Sequence, residues 1–262
     1  MKFVVLVNRD LASTVALNHL LPKIANHNIS ILMSDRVGKK NALKPQALNE
    51  LAVVEQGILN DLMHDCSNSE WQTIPALAKR YDCTLAVENW INRERGIETL
   101  SRLAPDLIIS IRYGVILQSP VIKIPALGVI NLHSGLLPDY RGVMATFWAM
   151  LKDESSIGMT LHYIDDSSID TGRIIDSTRL QIDSTKSYLD HVLQLYENGC
   201  ELIVAMIDVL EKGEEPVTTK QESGGEYFTF PEAEDLHLFT EKGLRLFDLE
   251  SVLATYKRFN AR

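Results

Sequence analysis

Cysteine is scarce in this chain: its 262 residues include three, Cys66, Cys83 and Cys200, far apart and odd in number. No disulfide framework or Cys-x-x-Cys metal site can be written with them, and a reducing compartment, the cytoplasm, is expected. Long apolar runs are missing too. Phe3-Val4-Val5-Leu6-Val7 is broken by Asn8, Arg9 and Asp10, far short of a signal sequence or a membrane span, so it reads as a buried first strand and no membrane partner is expected. Nor is there a basic excess. The formal net charge is -9, whereas a nucleic-acid binder ordinarily advertises basic patches that neutralise phosphates. Nucleic acid is therefore not an expected partner. Arg112, Arg141 and Arg173 leave room for a local basic pocket, or for solvated ion pairs. Internal repeats and low-complexity tracts are absent. What remains, 45% hydrophobic and 23% charged, suits a globular protein with a sizeable core, as one large domain or one plus an extension.

Hydrophobic periodicity alternates between strand and helix. Residues 2–7 read as a strand, 14–25 as a helix capped by Ser13 or Thr14, 29–33 as a second strand and 45–63 as a long helix opened by a proline. Residues 74–81 and 96–103 read as helices, with a short strand at 84–87 between them. The run Leu107-Ile108-Ile109-Ser110-Ile111 predicts a central strand covered on both faces. Strands at 128–132 and 159–164, a helix at 146–151 and a long helix over 187–210 follow. The prediction is an α/β fold: a Rossmann-like, mostly parallel sheet with helices on both faces. A catalytic domain is expected over residues 1–213 and a short C-terminal appendage over 214–262. The apolar residues of that appendage, among them Phe228, Phe230, Leu236, Phe239 and Phe247, must cover the core or join a partner subunit, which leaves a monomer and a homodimer both open.

The chemistry is concentrated between Asn131 and Gly172. Within about forty residues stand Asn131-Leu132-His133, then Gly135-Leu136-Leu137-Pro138-Asp139-Tyr140-Arg141-Gly142, then Gly158-Met159-Thr160-Leu161-His162, then Asp170-Thr171-Gly172. An amide, an imidazole and a carboxylate around turns fixed by Gly and Pro are what acyl transfer to an amine requires: an oxyanion donor, a proton carrier and a group to orient it. Asn131 and His133 fall at the carboxyl end of a predicted strand, where open α/β sheets bind ligands, and residues two apart on a strand point the same way. Taken singly, an Asn and a His at a strand end most often satisfy local backbone groups. The ordered combination reverses that expectation.

It resembles the signature of the 10-formyltetrahydrofolate-dependent formyltransferases, a family that includes glycinamide ribonucleotide, methionyl-tRNA and sugar-nucleotide formyltransferases. The resemblance implies that Asn131, His133 and Asp170 are the catalytic Asn, His and Asp, with Asn131 and a cationic His133 donating to the oxyanion and Asp170 favouring that cation. It also implies 10-formyltetrahydrofolate as formyl donor, its pterin held largely by backbone groups of Tyr113, Val115, Ile116 and Leu117 on one side and Ile164, Asp165 and Ile169 on the other. His162 reads either as a core histidine bonded to the backbone or as a residue that places Asp170. No metal is expected, because Asp165 and Asp166 read as turn residues with no His or Cys cluster beside them.

The expected partner is a small-molecule amine substrate. Glycinamide ribonucleotide formyltransferases carry a glycine-rich phosphate loop after their first strand, whereas Asn8-Arg9-Asp10-Leu11-Ala12-Ser13 offers no glycine. Methionyl-tRNA formyltransferases carry a longer C-terminal barrel and a basic face. Sugar-nucleotide formyltransferases have a short appendage and a segment similar to Leu161-His162-Tyr163-Ile164, so a nucleotide-linked amino sugar is the preferred acceptor, with Trp90, Tyr113 or Phe147 as stacking candidates. Formylation of another small amine or of methionyl-tRNA, hydrolysis of formyltetrahydrofolate, and a noncatalytic folate-binding module are the alternatives.

Overall fold

A computed structural model of the chain describes residues 1–35, 44–57, 69–222 and 225–260. Its centre is a seven-stranded sheet in the order β3-β2-β1-β4-β5-β7-β8. The strands are β1 (Lys2–Asn8), β2 (Asn28–Ser34), β3 (Thr84–Val87), β4 (Leu107–Ile111), β5 (Val129–His133), β7 (Ser156–Tyr163) and β8 (Ile174–Gln181). The first five pair in parallel, and β7 pairs antiparallel with β5 on one side and β8 on the other. The fold is therefore the mostly parallel α/β sheet that the alternating pattern predicts.

Continuous apolar strands need cover on both faces, and β1 shows how it is divided. Phe3, Val5 and Val7 pack in the larger core cluster with Leu17, Leu20 and Leu21 of α1 (Leu11–Ile24) and with Tyr196 and Ile203 of α7 (Tyr188–Glu211). Val4 and Leu6 turn to the opposite face, where they join Leu100 of α4 (Glu94–Leu103) and Val121 of α5 (Ser119–Ile122). Among the described residues, the remaining helices before the appendage are α2 (Gln46–Ala52), which runs into a π turn at Val53–Gly57, α3 (Ile74–Arg80) and α6 (Ala145–Leu151).

The structure departs from the sequence reading at two elements, α1 and β8. α1 starts at Leu11, and its N-cap is Asp10, whose Oδ1 accepts from the Ser13 amide at 2.7 Å, so Ser13 and Thr14 lie inside the first turn. A carboxylate at the cap satisfies an amide that the hydroxyls were expected to satisfy, and the Thr14 hydroxyl bonds back to the Asp10 carbonyl at 2.8 Å. The helix expected over 45–63 is α2 plus the π turn as far as Gly57, and residues 58–63 lie outside the described residues. β8 was not expected, because Ile-Ile-Asp-Ser-Thr-Arg-Leu-Gln is a half-exposed edge strand without an apolar run.

Beyond Gly213, β9 (Glu226–Phe228) pairs in parallel with β6 (Tyr140–Gly142), and α8 (Ala233–Glu241) and α9 (Leu249–Asn260) follow. Phe228, Leu236, Phe239, Val252, Tyr256 and Phe259 are buried in the same cluster as the sheet. Phe239 stacks on Phe147 at 4.4 Å, and the Tyr256 hydroxyl donates to the Val54 carbonyl at 2.8 Å. The appendage thus covers this chain's own core. Among the described residues no helix is long and apolar enough to cross a membrane, and no group of side chains could hold a metal ion.

Candidate active site

Strand register brings the first residues together. β5 lies between parallel β4 and antiparallel β7, and Asn131 stands opposite Ser110 on one side and His162 on the other. The Asn131 Nδ2 is 3.2 Å from His162 Nε2, as expected of directly opposed residues on one face. His133, two residues further on, shares that face. Its Nε2 is 2.7 Å from the Tyr140 carbonyl, and its Nδ1 is 3.5 Å from Asp170 Oδ2. His162 Nε2 is also 3.5 Å from Asp170, through Oδ1, while its Nδ1 donates to the Tyr163 carbonyl at 2.8 Å. Both readings of His162 therefore hold at once: it is bonded to the backbone and it stands beside Asp170.

Asp170 arrives on the loop between β7 and β8. Its backbone is left-handed, φ +55, a region that Asp tolerates better than most residues. The Gly142 amide donates to Asp170 Oδ2 at 2.9 Å. Gln221, from the C-terminal part of the chain, clamps the loop by donating to the carbonyls of Asp170 at 3.0 Å and Gly172 at 2.7 Å. Burial alone would raise the Asp170 carboxyl, but His133 and His162 in their protonated forms and the Gly142 amide outweigh it and hold it at about 2.

These side chains border a cavity of about 460 Å³. Tyr113, Val115, Ile116 and Leu117 form one wall, and Ile164 and Ile169 stand on the other. Asp165 does not join them. Its side chain pairs with Arg173 at 2.9 Å and accepts from the Arg173 amide at 3.0 Å, and it is not among the residues that line the cavity. The three arginines do not form a basic pocket. Arg173 is spent on Asp165, Arg141 donates to the Gly225 carbonyl at 3.0 Å, and Arg112 reaches the cavity already flanked by Asp10 and Glu55. Of the stacking candidates, Phe147 is core and Trp90 lies outside the cavity lining, while Tyr113 lines it and donates its hydroxyl to the Glu88 carbonyl at 2.5 Å. Sequence reasoning missed Tyr227 and Phe230, half-exposed aromatics that the appendage lays along the cavity. Only the pairing of β9 with β6, which the sequence does not signal, puts them there.

Residues 67–207 match the sequence profile of the family described as formyl transferase, and this chain belongs to that family. Among its relatives, the methionyl-tRNA formyltransferase of Synechococcus sp. (strain JA-3-3Ab) is 34% identical over 54% of this chain and 44% of its own length. That of Kosmotoga olearia is 30% identical over 67% of this chain and 56% of its own. The chain spans about half the length of these relatives. Among solved structures, a 4-N formyltransferase from Francisella tularensis aligns over 89% of this chain and 77% of its own, with a TM-score of 0.58 and 17% identity. Glycinamide ribonucleotide transformylase 1 from Symbiobacterium toebii aligns over 85% of this chain and 94% of its own, with a TM-score of 0.59 and 15% identity. At these identities the two structures speak for the fold.

Proposed function

We propose that this protein transfers a formyl group from 10-formyltetrahydrofolate to the primary amine of a small molecule. One observation carries the reading: Asn131, His133, His162 and Asp170 form a connected polar network on the wall of a cavity that Val115, Ile116, Leu117, Ile164 and Ile169 line beside it. Backbone between Tyr113 and Leu117 and between Ile164 and Ile169 flanks a slot that suits a flat heterocycle, so the residues present fit the donor. The donor supplies the formyl carbon.

The rest is the work of the side chains. With Nδ1 donating to the Tyr163 carbonyl, neutral His162 accepts from the Asn131 amide through Nε2 and fixes its orientation. The second N–H of Asn131 then remains for the formyl oxygen as negative charge develops on it. His133 donates from Nε2 to the Tyr140 carbonyl, which keeps Nδ1 as the lone pair of the neutral ring. That atom takes the proton of the attacking amine and returns it to the donor nitrogen as the bond from that nitrogen to the formyl carbon breaks, while Asp170 Oδ2 beside it balances the transient charge. His133 is thus a proton carrier, and Asn131 supplies the oxyanion contact.

Residues 1–213 act in this reading as the catalytic domain, with 214–262 as an appendage that walls the cavity through Tyr227 and Phe230. Free Cys83 and Cys200 suit a cytoplasmic location. A nucleotide-linked amino sugar is the favoured acceptor, because aromatic faces beside buried carboxylates are the chemistry that holds a polyhydroxylated ring. The methionyl-tRNA formyltransferases among its relatives make methionyl-tRNA the second reading. The test is tetrahydrofolate release from 10-formyltetrahydrofolate, followed by absorbance, with a nucleotide-linked amino sugar, with methionyl-tRNA and with no amine. Release only with the amino sugar supports the first reading. Release only with the tRNA supports the second, release without amine marks a hydrolase, and donor binding without release marks a binding module.

A further inference from the structure

The cavity has a second polar end, lined by Asp10, Glu55, Arg112 and Tyr188, that the chemistry above leaves unused. Arg112 follows β4 with φ +58, a left-handed backbone that a residue with a Cβ adopts only at a cost and only where its surroundings hold it. The turn sends its guanidinium between two carboxylates. Nε lies 3.0 Å from Asp10 Oδ2, and Nη2 lies 3.1 Å from Glu55 Oε1. Asp10 is already saturated: its side chain is 1% exposed and also accepts from the Ser13 amide and from Asn8 Nδ2. Because Asp10 caps α1, an acceptor phosphate finds that helix N-terminus occupied by an internal anion.

Glu55 is different. Oε1 accepts from Arg112, but Oε2 makes no hydrogen bond among the described residues, and the 13% of the side chain that stays exposed belongs to the cavity lining. Burial pushes its carboxyl up against the pull of Arg112, so a donor placed on Oε2 gains more than it would at the surface. A hydroxyl group supplies such a donor without bringing in a charge. A phosphate or carboxylate brings no donor for Oε2, and the cations near it, Arg112 and Lys44, already face the fixed negative charges of Asp10 and Glu55.

We infer that Glu55, held in place by Arg112, is a specificity-determining residue for the acceptor, accepting a hydrogen bond from a ring hydroxyl of the molecule whose amine is formylated. The inference rests on the formyl-transfer reading of the site. Its test is a cycle in which residue and substrate are changed separately and together. Wild-type protein and Glu55→Ala are assayed for amine-dependent tetrahydrofolate release with dTDP-3-aminofucose and with analogues that lack one ring hydroxyl each. In wild type, removing one particular hydroxyl is expected to lower kcat/KM about tenfold or more, chiefly through KM, as for a hydrogen bond to a charged group. In Glu55→Ala the parent sugar loses as much and the deoxygenated analogue loses nothing further, a coupling between residue and hydroxyl that any change in donor binding, common to all the sugars, leaves intact. Should Glu55→Ala fail to fold, Glu55→Gln, which keeps an oxygen for Arg112, is read in the same cycle, with the discrimination expected to shrink severalfold.

Equal sensitivity to deoxygenation in wild type and variant, or use of other amines but not of the amino sugar by wild type, overturns the assignment of Glu55 and leaves formyl transfer standing. No amine-dependent release by wild type with any amine overturns both.

Discussion

His133 holds Nδ1 3.5 Å from Asp170 Oδ2 while its Nε2 faces the Tyr140 carbonyl at 2.7 Å. A carbonyl only accepts, so the proton of the neutral ring sits on Nε2, and the basic atom is the one beside the carboxylate. In the proposed mechanism the imidazole is the proton carrier, and His133→Ala is expected to lower turnover by about 10²–10⁴-fold. Asn131→Ala, which removes the oxyanion contact, is expected to cost about 3 kcal/mol of transition-state stabilisation, roughly a hundred- to thousandfold in rate. Both are measured as tetrahydrofolate release at saturating donor, with binding of a folate analogue as the check on folding. Wild-type turnover in either variant would remove that residue from the mechanism.

The Asp170 carboxyl carries a pH signature. Burial would raise it, yet His133, His162 and the Gly142 amide bring it to about 2 from the ordinary 3.8. The folded value lies below the unfolded one, so with both rings protonated the contribution to stability is present above the unfolded value and is lost as pH falls through the folded one. Its size is about 2 kcal/mol. Asp170→Asn lacks this contribution. The difference in urea midpoint between wild type and variant is therefore expected to narrow as pH drops from about 4 toward 2. A difference that keeps its size across that window would mean that the carboxylate is not stabilised by its neighbours.

What could be read in advance follows from how local each feature is. Asn131 and His133 were legible because a buried strand delivers both to one face; His162, which fixes Asn131, sits on the neighbouring strand, and Tyr140, which fixes His133, lies only seven residues on. Asp170 was legible as a motif, but its placement was not. The Gly142 amide and Gln221 that hold its loop lie 28 and 51 residues away in sequence. Arg112 escaped for the same reason, since its partners Asp10 and Glu55 are 102 and 57 residues distant and no periodicity links them. Asp165, read as a wall of the slot, is claimed by an arginine eight residues on, a choice between neighbours that composition does not decide. β8 shows the opposite failure: its pairing with β7 is long, but a half-exposed edge strand leaves little pattern to read.

Gly142 joins the appendage to the site. Its φ is +96, and a Cβ there would lie 2.1 Å from the Phe228 carbonyl oxygen, while its amide holds Asp170. Gly142→Ala must break the pairing of β6 with β9 or displace the Asp170 loop, and it is expected to destabilise the protein by about 1–3 kcal/mol and to lower turnover as well. Gly213→Ala is the control. At φ +74, with nothing within 4 Å of a new Cβ, it carries backbone strain without a clash. It is expected to cost about 1 kcal/mol and to leave turnover unchanged. Thermal unfolding with activity measured on the same samples separates the two, and equal behaviour of both variants would deny Gly142 any part in placing Asp170.

Asp10 has two jobs that a pair of substitutions can divide. It caps α1 through the Ser13 amide, and it balances the Arg112 guanidinium, of which 23% is exposed. Asn is as good a cap as Asp, so Asp10→Asn keeps the first job and loses the charge, whereas Asp10→Ala loses both. Breaking one side of a largely buried ion pair costs about 3–5 kcal/mol, somewhat less here because Glu55 still pairs with Arg112. The missing cap adds about 1 kcal/mol. Urea denaturation is therefore expected to rank wild type above Asp10→Asn and Asp10→Asn above Asp10→Ala, with the larger step first. Arg112 immediately precedes the Tyr113 to Leu117 wall, so folate-analogue binding should weaken in both variants in proportion to the lost charge and not to the lost cap. If Asp10→Asn binds the analogue as wild type does and unfolds at the same urea concentration, the guanidinium is held by Glu55 alone and Asp10 serves only the helix.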